Sequence, residues 1–459
     1  MPRQRLVWAA HNPARLVLIA FSTLIVVGTV LLRLPASVDG DHPGLLDALF
    51  MSTSSATVTG LATFDISVLS LTGELVVLAL IQVGGFGIMA LGSILAIIAS
   101  HRMGLYQRRF TSAEFGSIDN EDLKSIMKRV AQITLSVEGA IAVVLFARFT
   151  ITYGEAPGRA AYSAVFHAVS AFNNAGISLN SDSLIPYATD WTVLLAMSAG
   201  FIIGGLGFPV LIDIARKVKG KPEGLGYRRG HLNASRWLLH TKLVVATTAV
   251  LLVLGPVVIA IAEWGNPDTL GPMAAGEKIL TAWFEGGTAR TAGFSTIDVG
   301  ALSEPTQVFM STLMFIGAGP ASTSGGIKVT TFAVLGFVIW AEARGQRDVN
   351  AFGRRLPRGL IRQAITVALL SVGLVIGTAL VLMSAAEITL TPALFEAASA
   401  FGTVGLSTGI TGDLPPACQV LLVLVMLAGR IGPVTFVTAL ALRNVDLPYR
   451  FPEERPIIG

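Results

Sequence analysis

Charge is what this chain has least of. Asp, Glu, Lys and Arg make up 14% of its 459 residues, against roughly 25% in an ordinary soluble domain, while 53% are hydrophobic. A water-soluble globule is thereby excluded, and an integral membrane protein is implied. Cysteine is nearly absent too. Cys418 stands alone, which excludes an internal disulfide and a cysteine-based metal site. The six histidines are scattered without an HExxH pattern, and there is no GxSxG, no Walker A and no convincing catalytic pair. Enzyme chemistry therefore has no residues to rest on. No cofactor site is legible, and nothing points to nucleic acid.

What the chain does have is long apolar runs. Segments near the ~20 residues a spanning helix needs fall at about 16–34, 72–99, 131–153, 191–215, 240–264, 306–340, 362–385 and 417–442. The first follows Arg3, Arg5 and Arg15, exceeds the ~7–15 residues of a signal-peptide core and has no cleavage site after it, so it reads as a retained helix. Basic residues then set the orientation. One set of connections holds Arg102, Arg108, Arg109, Lys124, Lys128 and Arg129, then Arg216 to Arg236, then Arg344 to Arg362. The alternate connections carry Asp39, Asp41, Asp65, Asp182, Asp190, Asp268, Asp298, Glu304 and Asp413 instead. Both termini are expected on the cytoplasmic side of a cell membrane. The acidic outer face either concentrates cations or is simply what the positive-inside bias leaves behind.

The outer connections repeat one another. They contain "SATVTGLATFD" around Gly60, "AFNNAGISLNS" around Gly176, "TARTAGFSTID" around Gly293 and "AFGTVGLSTGI" around Gly405. Ten residues before each glycine stands an aromatic: Phe50, Phe166, Trp283 and Phe395. Between them lies a segment long enough for two or three helical turns but too short to span. A second glycine motif follows in each next helix: "VGGFGIM" at 83–89, "IGGLGFP" at 203–209, "IGAGPAS" at 316–322 and "AGRIGPV" at 428–434. Common packing glycines of membrane helices account for the inner motifs alone, not for matched outer loops. The expected fold is all-α: four pseudo-symmetric units of helix, short re-entrant helix, glycine loop and helix around one pore. Their expected limits are 16–110, 120–220, 236–345 and 358–445, with termini 1–15 and 446–459.

Non-helical backbone survives at membrane depth only when buried or lining a wet cavity. Four such loops can ring one path. Glycine opens φ values closed to other residues, so carbonyl oxygens can turn inward and replace the hydration shell of a potassium ion. The expected carbonyls are those of Thr59, Gly60, Ala175, Gly176, Ala292, Gly293, Val404 and Gly405. Thr57, Thr59, Thr291, Thr403, Asn173 and Asn174 supply side chains to hold the loops, and Val58, Arg290 and Gly402 complete the set. The short helices aim their partially negative C-terminal ends at the path. The loops carry no carboxylate, which favours a weakly hydrated monovalent ion over calcium.

The ordered segments "TVTGL", "NNAGI", "RTAGF" and "TVGLS" resemble the filters of the Trk/Ktr/HKT superfamily of potassium transporters, over about Leu16 to Leu442. Within it the chain is similar to KtrB-type membrane subunits, since it opens directly on the first repeat. The resemblance implies potassium uptake down its electrochemical gradient, with or without assistance from sodium. Serine at the first filter glycine goes with sodium preference in related HKT proteins, and all four positions here are glycine. It further implies a homodimer in the bilayer on a cytoplasmic ring of KtrA type, whose subunits bind a nucleotide, ATP or ADP. The basic segments Arg216–His240 and Arg344–Arg362 are candidate docking surfaces. The competing class is a sodium-coupled carrier of a small solute built from discontinuous helices. Such folds usually carry two repeats, often inverted, whereas each unit here has an even number of spans and so the same orientation.

"GAGPASTSGGIKVTT", 317–331, interrupts the sixth apolar run. Gly317, Gly319, Ser322, Thr323, Ser324, Gly325 and Gly326 cannot continue a straight helix around Pro320. The resemblance implies a gate loop below the filter; a kinked helix is the plainer reading. Lys328 either belongs to that gate or snorkels to the inner surface. Arg430, deep in the last apolar run, costs at least ~2.5–3.5 kcal/mol there and needs a partner. The family assigns an arginine of this helix to the constriction, whereas a salt bridge to Glu138 or Asp213 is the structural alternative. Arg290 is expected to brace its loop, with Glu285 and Glu396 either its partners or solvent-exposed.

Overall fold

The computed structural model describes residues 13–40, 42–102, 123–218 and 237–432. The terminal segment 446–459, nearly all of 1–15 and most of the basic loop Arg216–His240 lie outside these residues.

Four long apolar helices each open a quarter of the molecule: α1 (Pro13–Leu32), α4 (Leu123–Ile151), α8 (Leu239–Glu263) and α12 (Arg358–Ala386). The short helices α2 (Leu45–Ala56), α5 (Pro157–Asn173), α9 (Ala275–Thr288) and α13 (Leu390–Gly402) follow them, with C-terminal halves almost entirely buried. Their starts are marked locally. Proline opens α5, where its missing N–H costs nothing, and Glu277 accepts from the backbone N–H of Ala274 at the start of α9. Phe50, Phe166 and Phe395 are fully buried at the expected aromatic position. In the third quarter the buried ring is Phe284, one residue on, while Trp283 is only half-buried.

The second long element is less regular than expected in two of the quarters. α3 (Leu71–Arg102) is continuous. The run expected as one span at 191–215 is two helices, α6 (Trp191–Leu206) and α7 (Phe208–Val218), bent by 101°. Gly207 sits between them with φ +88°, and Pro209 just beyond it lacks an N–H to continue the ladder. The run at 306–340 is α10 (Glu304–Phe315) and α11 (Val329–Ala343), joined by non-helical residues 316–328. α14 (Pro416–Ile431) ends at Gly432, φ +94°; the rest of that expected run is outside the described residues.

These inner elements close a ring. α3 packs against α5, α6 against α9, α10 against α13, and α14 back against α2. In three quarters an inner glycine also seats the short helix of its own quarter. A Cβ on Gly84 would strike the carbonyl of Ala56, on Gly204 that of Phe172, and on Gly429 that of Phe401. Asp190 fixes the start of α6. Its Oδ1 accepts from the N–H of Thr192 (2.9 Å) and Val193 (3.3 Å), and its Oδ2 from Arg148 Nε (2.7 Å) and Tyr153 OH (3.1 Å). Burial pushes this carboxyl up, but the hydrogen bonds outweigh it and hold it below the ordinary aspartate value. The basic segment Arg344–Arg362 contains a two-residue hairpin, β1 (Asn350–Ala351) and β2 (Arg354–Arg355), anchored by buried Ala351.

Candidate functional site

All four loop glycines adopt positive φ: Gly60 +100°, Gly176 +66°, Gly293 +76° and Gly405 +99°. Each backs onto the next loop. A Cβ on Gly60 would collide with the carbonyl oxygen of Ala175, on Gly176 with that of Ala292, on Gly293 with that of Val404, and on Gly405 with that of Thr59. The four loops thus close on themselves in chain order, and no residue with a side chain fits at those points. A cavity of about 530 Å³ opens above the ring, bounded by all four glycines and by Asp65, Asp182 and Asp298.

The loops are fixed by their own short helices. Two residues before the glycine, Val58 (φ +54°), Asn174 (+59°) and Thr403 (+48°) are left-handed, a conformation uncommon outside glycine. Thr291, at the same place in the third loop, is not. Ser54 Oγ accepts from Gly60 N–H (2.9 Å) and Ser399 Oγ from Gly405 N–H (3.1 Å), while Ser170 Oγ donates to the Ile177 carbonyl (2.7 Å). The third quarter has Gly287 there, against the ring of Phe201. Thr57 and Thr59 share a hydroxyl contact of 2.7 Å.

A second set of braces escaped the sequence reading. Asp47 accepts from Thr63 Oγ1 (2.9 Å), His167 Nε2 meets Ser178 Oγ (3.0 Å), and Glu285 accepts from both N and Oγ1 of Thr296 (2.7 and 2.8 Å). Glu396 meets the hydroxyls of Ser407 and Thr411. Each joins a short helix to the outgoing arm of its own loop. A polar residue on that helix and a hydroxyl two or three residues after the glycine was the available signal. Glu285 and Glu396 are therefore neither exposed nor bonded to Arg290 among the described residues. Arg290 itself is buried, its Nε unpartnered among those residues, beside Gly205, Thr248 and Thr291. Asn173 points away from the ring, donating to Gln82 (2.9 Å) and Glu138 (3.1 Å) behind it. Gly402 is the last residue of α13, seated on the Met314 carbonyl.

Directly beneath lies segment 316–328. Its ends pair with each other: Gly317 N–H donates to the Ile327 carbonyl (2.8 Å) and Val329 N–H to that of Ala318 (3.1 Å). Gly319 N–H reaches the Gly205 carbonyl (2.8 Å), and Ala321 accepts from Phe208 N–H (3.2 Å) at the bend of the second quarter. Ser324 Oγ accepts from Ala318 N–H (2.9 Å), and Ser322, Thr323 and Ser324 are buried. Gly326, φ +66°, lies against Gly402. Lys328 does not snorkel; its Nζ folds back to the carbonyls of Ser324 (2.5 Å) and Gly325 (3.4 Å). Arg430 has no carboxylate partner among the described residues. It donates to the carbonyls of Thr323 and Gly84 (3.4 Å), while Glu138 serves Gln82 and Asn173, and Asp213 accepts from Thr241 Oγ1 (2.6 Å). Two nitrogens of this buried guanidinium thus reach backbone oxygens of segment 316–328 and of α3, while Nε has no partner among the described residues.

The sequence matches the family described as TrkH, cation transport protein, over residues 7–447. The chain belongs to this family. The Ktr system potassium uptake protein B of Bacillus subtilis is 35% identical over 453 residues, 98% of each chain. Its namesake in Vibrio alginolyticus is 34% identical over 98% of this chain and 96% of its own. A protein named potassium/sodium uptake protein NtpJ, from Enterococcus hirae, is 31% identical over 98% and 97%. The crystal structure of the potassium transporter TrkH from Vibrio parahaemolyticus shares the fold, with a TM-score of 0.73 at 18% identity over 93% of this chain and 84% of that one. Membership makes this a membrane protein of cation transport rather than an enzyme, and accounts for the four helical repeats.

Proposed function

We propose that this chain takes up potassium through a gated pore on the axis of the four glycine loops. The observation that carries the reading is the closed ring, in which each glycine rests on the carbonyl of the next loop. Carbonyl oxygens of Thr59, Gly60, Ala175, Gly176, Ala292, Gly293, Val404 and Gly405 replace the hydration shell of K+, and the pore-facing ends of four helix dipoles favour its charge. Segment 317–331, with Lys328 and Arg430, is the gate: a plug carrying two cationic side chains on the ion's route. The names of the relatives support potassium as the ion, and the Enterococcus hirae name supports a role for sodium. The repeats are taken as 16–110, 120–220, 236–345 and 358–445.

The chain sits in the plasma membrane with the basic side cytoplasmic, so the cavity with Asp65, Asp182 and Asp298 faces outward and gathers cations. As in a two-component system, it forms a homodimer on a cytoplasmic regulatory ring of KtrA type that binds ATP or ADP. Arg344–Arg362, with the hairpin, is one docking surface.

Rubidium and sodium flux into proteoliposomes, for the native chain and Gly293→Ser, tests the pore. Selective rubidium flux that collapses or turns toward sodium in the variant is the expected result, because the new side chain would displace the Val404 carbonyl. Flux indifferent to Gly293→Ser would refute the ring as filter and direct the search to a solute site.

A further inference from the structure

We infer that the gate segment also holds the filter in shape, through Asn174 and Thr403, so that opening the gate changes ion selectivity as well as rate. The inference rests on the pore reading above.

Asn174 and Thr403 are two of the three left-handed residues that stand two places before a filter glycine. Backbone in this region persists only where surrounding contacts over-determine it. Each caps its short helix, where Ala175 N–H bonds the Ser170 carbonyl (2.8 Å) and Val404 N–H that of Ser399 (3.0 Å), and both side chains add a contact to the plug. Thr403 Oγ1 accepts from Gly325 N–H at 3.0 Å. Asn174 Nδ2 donates to Thr323 Oγ1 at 2.5 Å, and its Oδ1 accepts from Thr291 Oγ1 at 3.0 Å. Thr323 is also the residue whose carbonyl Arg430 grips, and its hydroxyl donates to the Phe172 carbonyl at 3.3 Å. One chain of hydrogen bonds therefore runs from Arg430 through Thr323 and Asn174 to Thr291, touching filters two and three. A second runs from Gly325 to filter four. Val58, the left-handed residue of the first filter, has an apolar side chain and takes no part.

All these atoms are buried, so lifting the plug breaks the contacts at once. Thr403 then loses the side-chain contact that adds to its helix-end bonds. The next residue, Val404, carries the carbonyl against which Gly293 is seated, so relaxation at Thr403 moves the ring itself. The plug is a gate and a mould together. Asn174 and Thr403 are positioning residues that act through it.

The test uses rubidium and sodium flux through the full chain in proteoliposomes. Thr403→Val keeps the shape and removes the acceptor. It should raise basal rubidium flux roughly two- to tenfold, the worth of one buried hydrogen bond, and lower the rubidium-to-sodium ratio. Thr403→Ser, which keeps the hydroxyl, should behave as native. Gly325→Ala approaches from the other side, since its Cβ would lie 2.5 Å from Thr403 Oγ1, and should shift both readouts in the same direction. In a chain whose plug is shortened by deleting 320–326, the ratio should already be lowered and Thr403→Val should change nothing more. A native ratio in the shortened chain, or an undiminished effect of Thr403→Val there, overturns the coupling and leaves the pore standing. Absence of selective rubidium flux in both native and shortened chains sinks the pore reading instead.

Discussion

Gly84 and Gly317 occupy the same place in their quarters, 24 residues beyond Gly60 and Gly293, yet they do different things. Gly84 stays inside a continuous α3 and lets the end of α2 rest on its backbone. Gly317 has left the helix, and the atom facing it is the Gly325 carbonyl of the same non-helical segment, 316–328. Glycine permits either outcome; its neighbours choose. Around Gly84 lie Gln82, Val83 and Phe86, good enough helix residues. After Gly317 come Pro320, a run of Ser and Thr, and Gly325–Gly326. These supply hydroxyls that satisfy the freed backbone, as Ser324 does for Ala318 N–H. An unwound stretch in a membrane needs that internal satisfaction, and among the described residues the third quarter carries both the breaker and the replacement donors and acceptors.

The sharpest way to break the comparison is to give the helical glycines a side chain. Gly429→Ala should cost about 1–3 kcal/mol by overpacking against the Phe401 carbonyl and lower the melting temperature of the purified protein. Gly377→Ala, on α12 with nothing within 4 Å of its new Cβ, should be neutral or stabilising by up to about 1 kcal/mol. Equal melting temperatures for the two variants would mean that inner glycines are not seats for the short helices. Arg430→Gln comes next. It keeps a donor but loses the fork that joins Thr323 to Gly84, so basal rubidium flux should rise roughly two- to tenfold; unchanged leak would show that the plug is held without it.

The smallest effect is expected at the start of α6, whose Asp190 cap has no side-chain counterpart at the start of α10 or α14. A carboxyl held below its ordinary value contributes stability above that value and loses it as pH falls through the lower folded value. Melting temperature should therefore drop as pH is lowered below 3.8, the ordinary aspartate value. Asp190→Asn keeps the cap and should flatten that slope. An unaltered slope in the variant would assign the acid sensitivity to other carboxyls.

The repeat was legible because its marks are local. An aromatic, a short apolar stretch and a glycine at fixed spacing need no knowledge of neighbours, and Pro320 among glycines announces a break anywhere. The 101° bend at Gly207 was half-legible, since Pro209 follows it, but an unbroken apolar run hid it. Asn173 and Asn174 show what was not. They are adjacent and chemically identical, yet Asn173 ends a helix and turns back to Glu138, whereas Asn174 is left-handed and turns to Thr323. That division is made by the elements they meet, which lie far away in the chain. The same holds for Arg430, whose backbone partners Thr323 and Gly84 no composition rule could nominate, and for Glu285 and Glu396, left between partnering Arg290 and solvent exposure when their hydroxyl partners stood on their own loops.

The ring of four glycines has a consequence for how change reaches it. In a pore built from four identical chains, one altered codon is delivered four times, and the damage is multiplied around the axis. Here each quadrant is encoded separately, so a substitution is delivered once. The third quadrant could give up its left-handed residue and its serine, take on an arginine, and interrupt its inner helix while all four glycines kept the geometry that closes the circle. A single chain of this kind can therefore divide labour among its quarters.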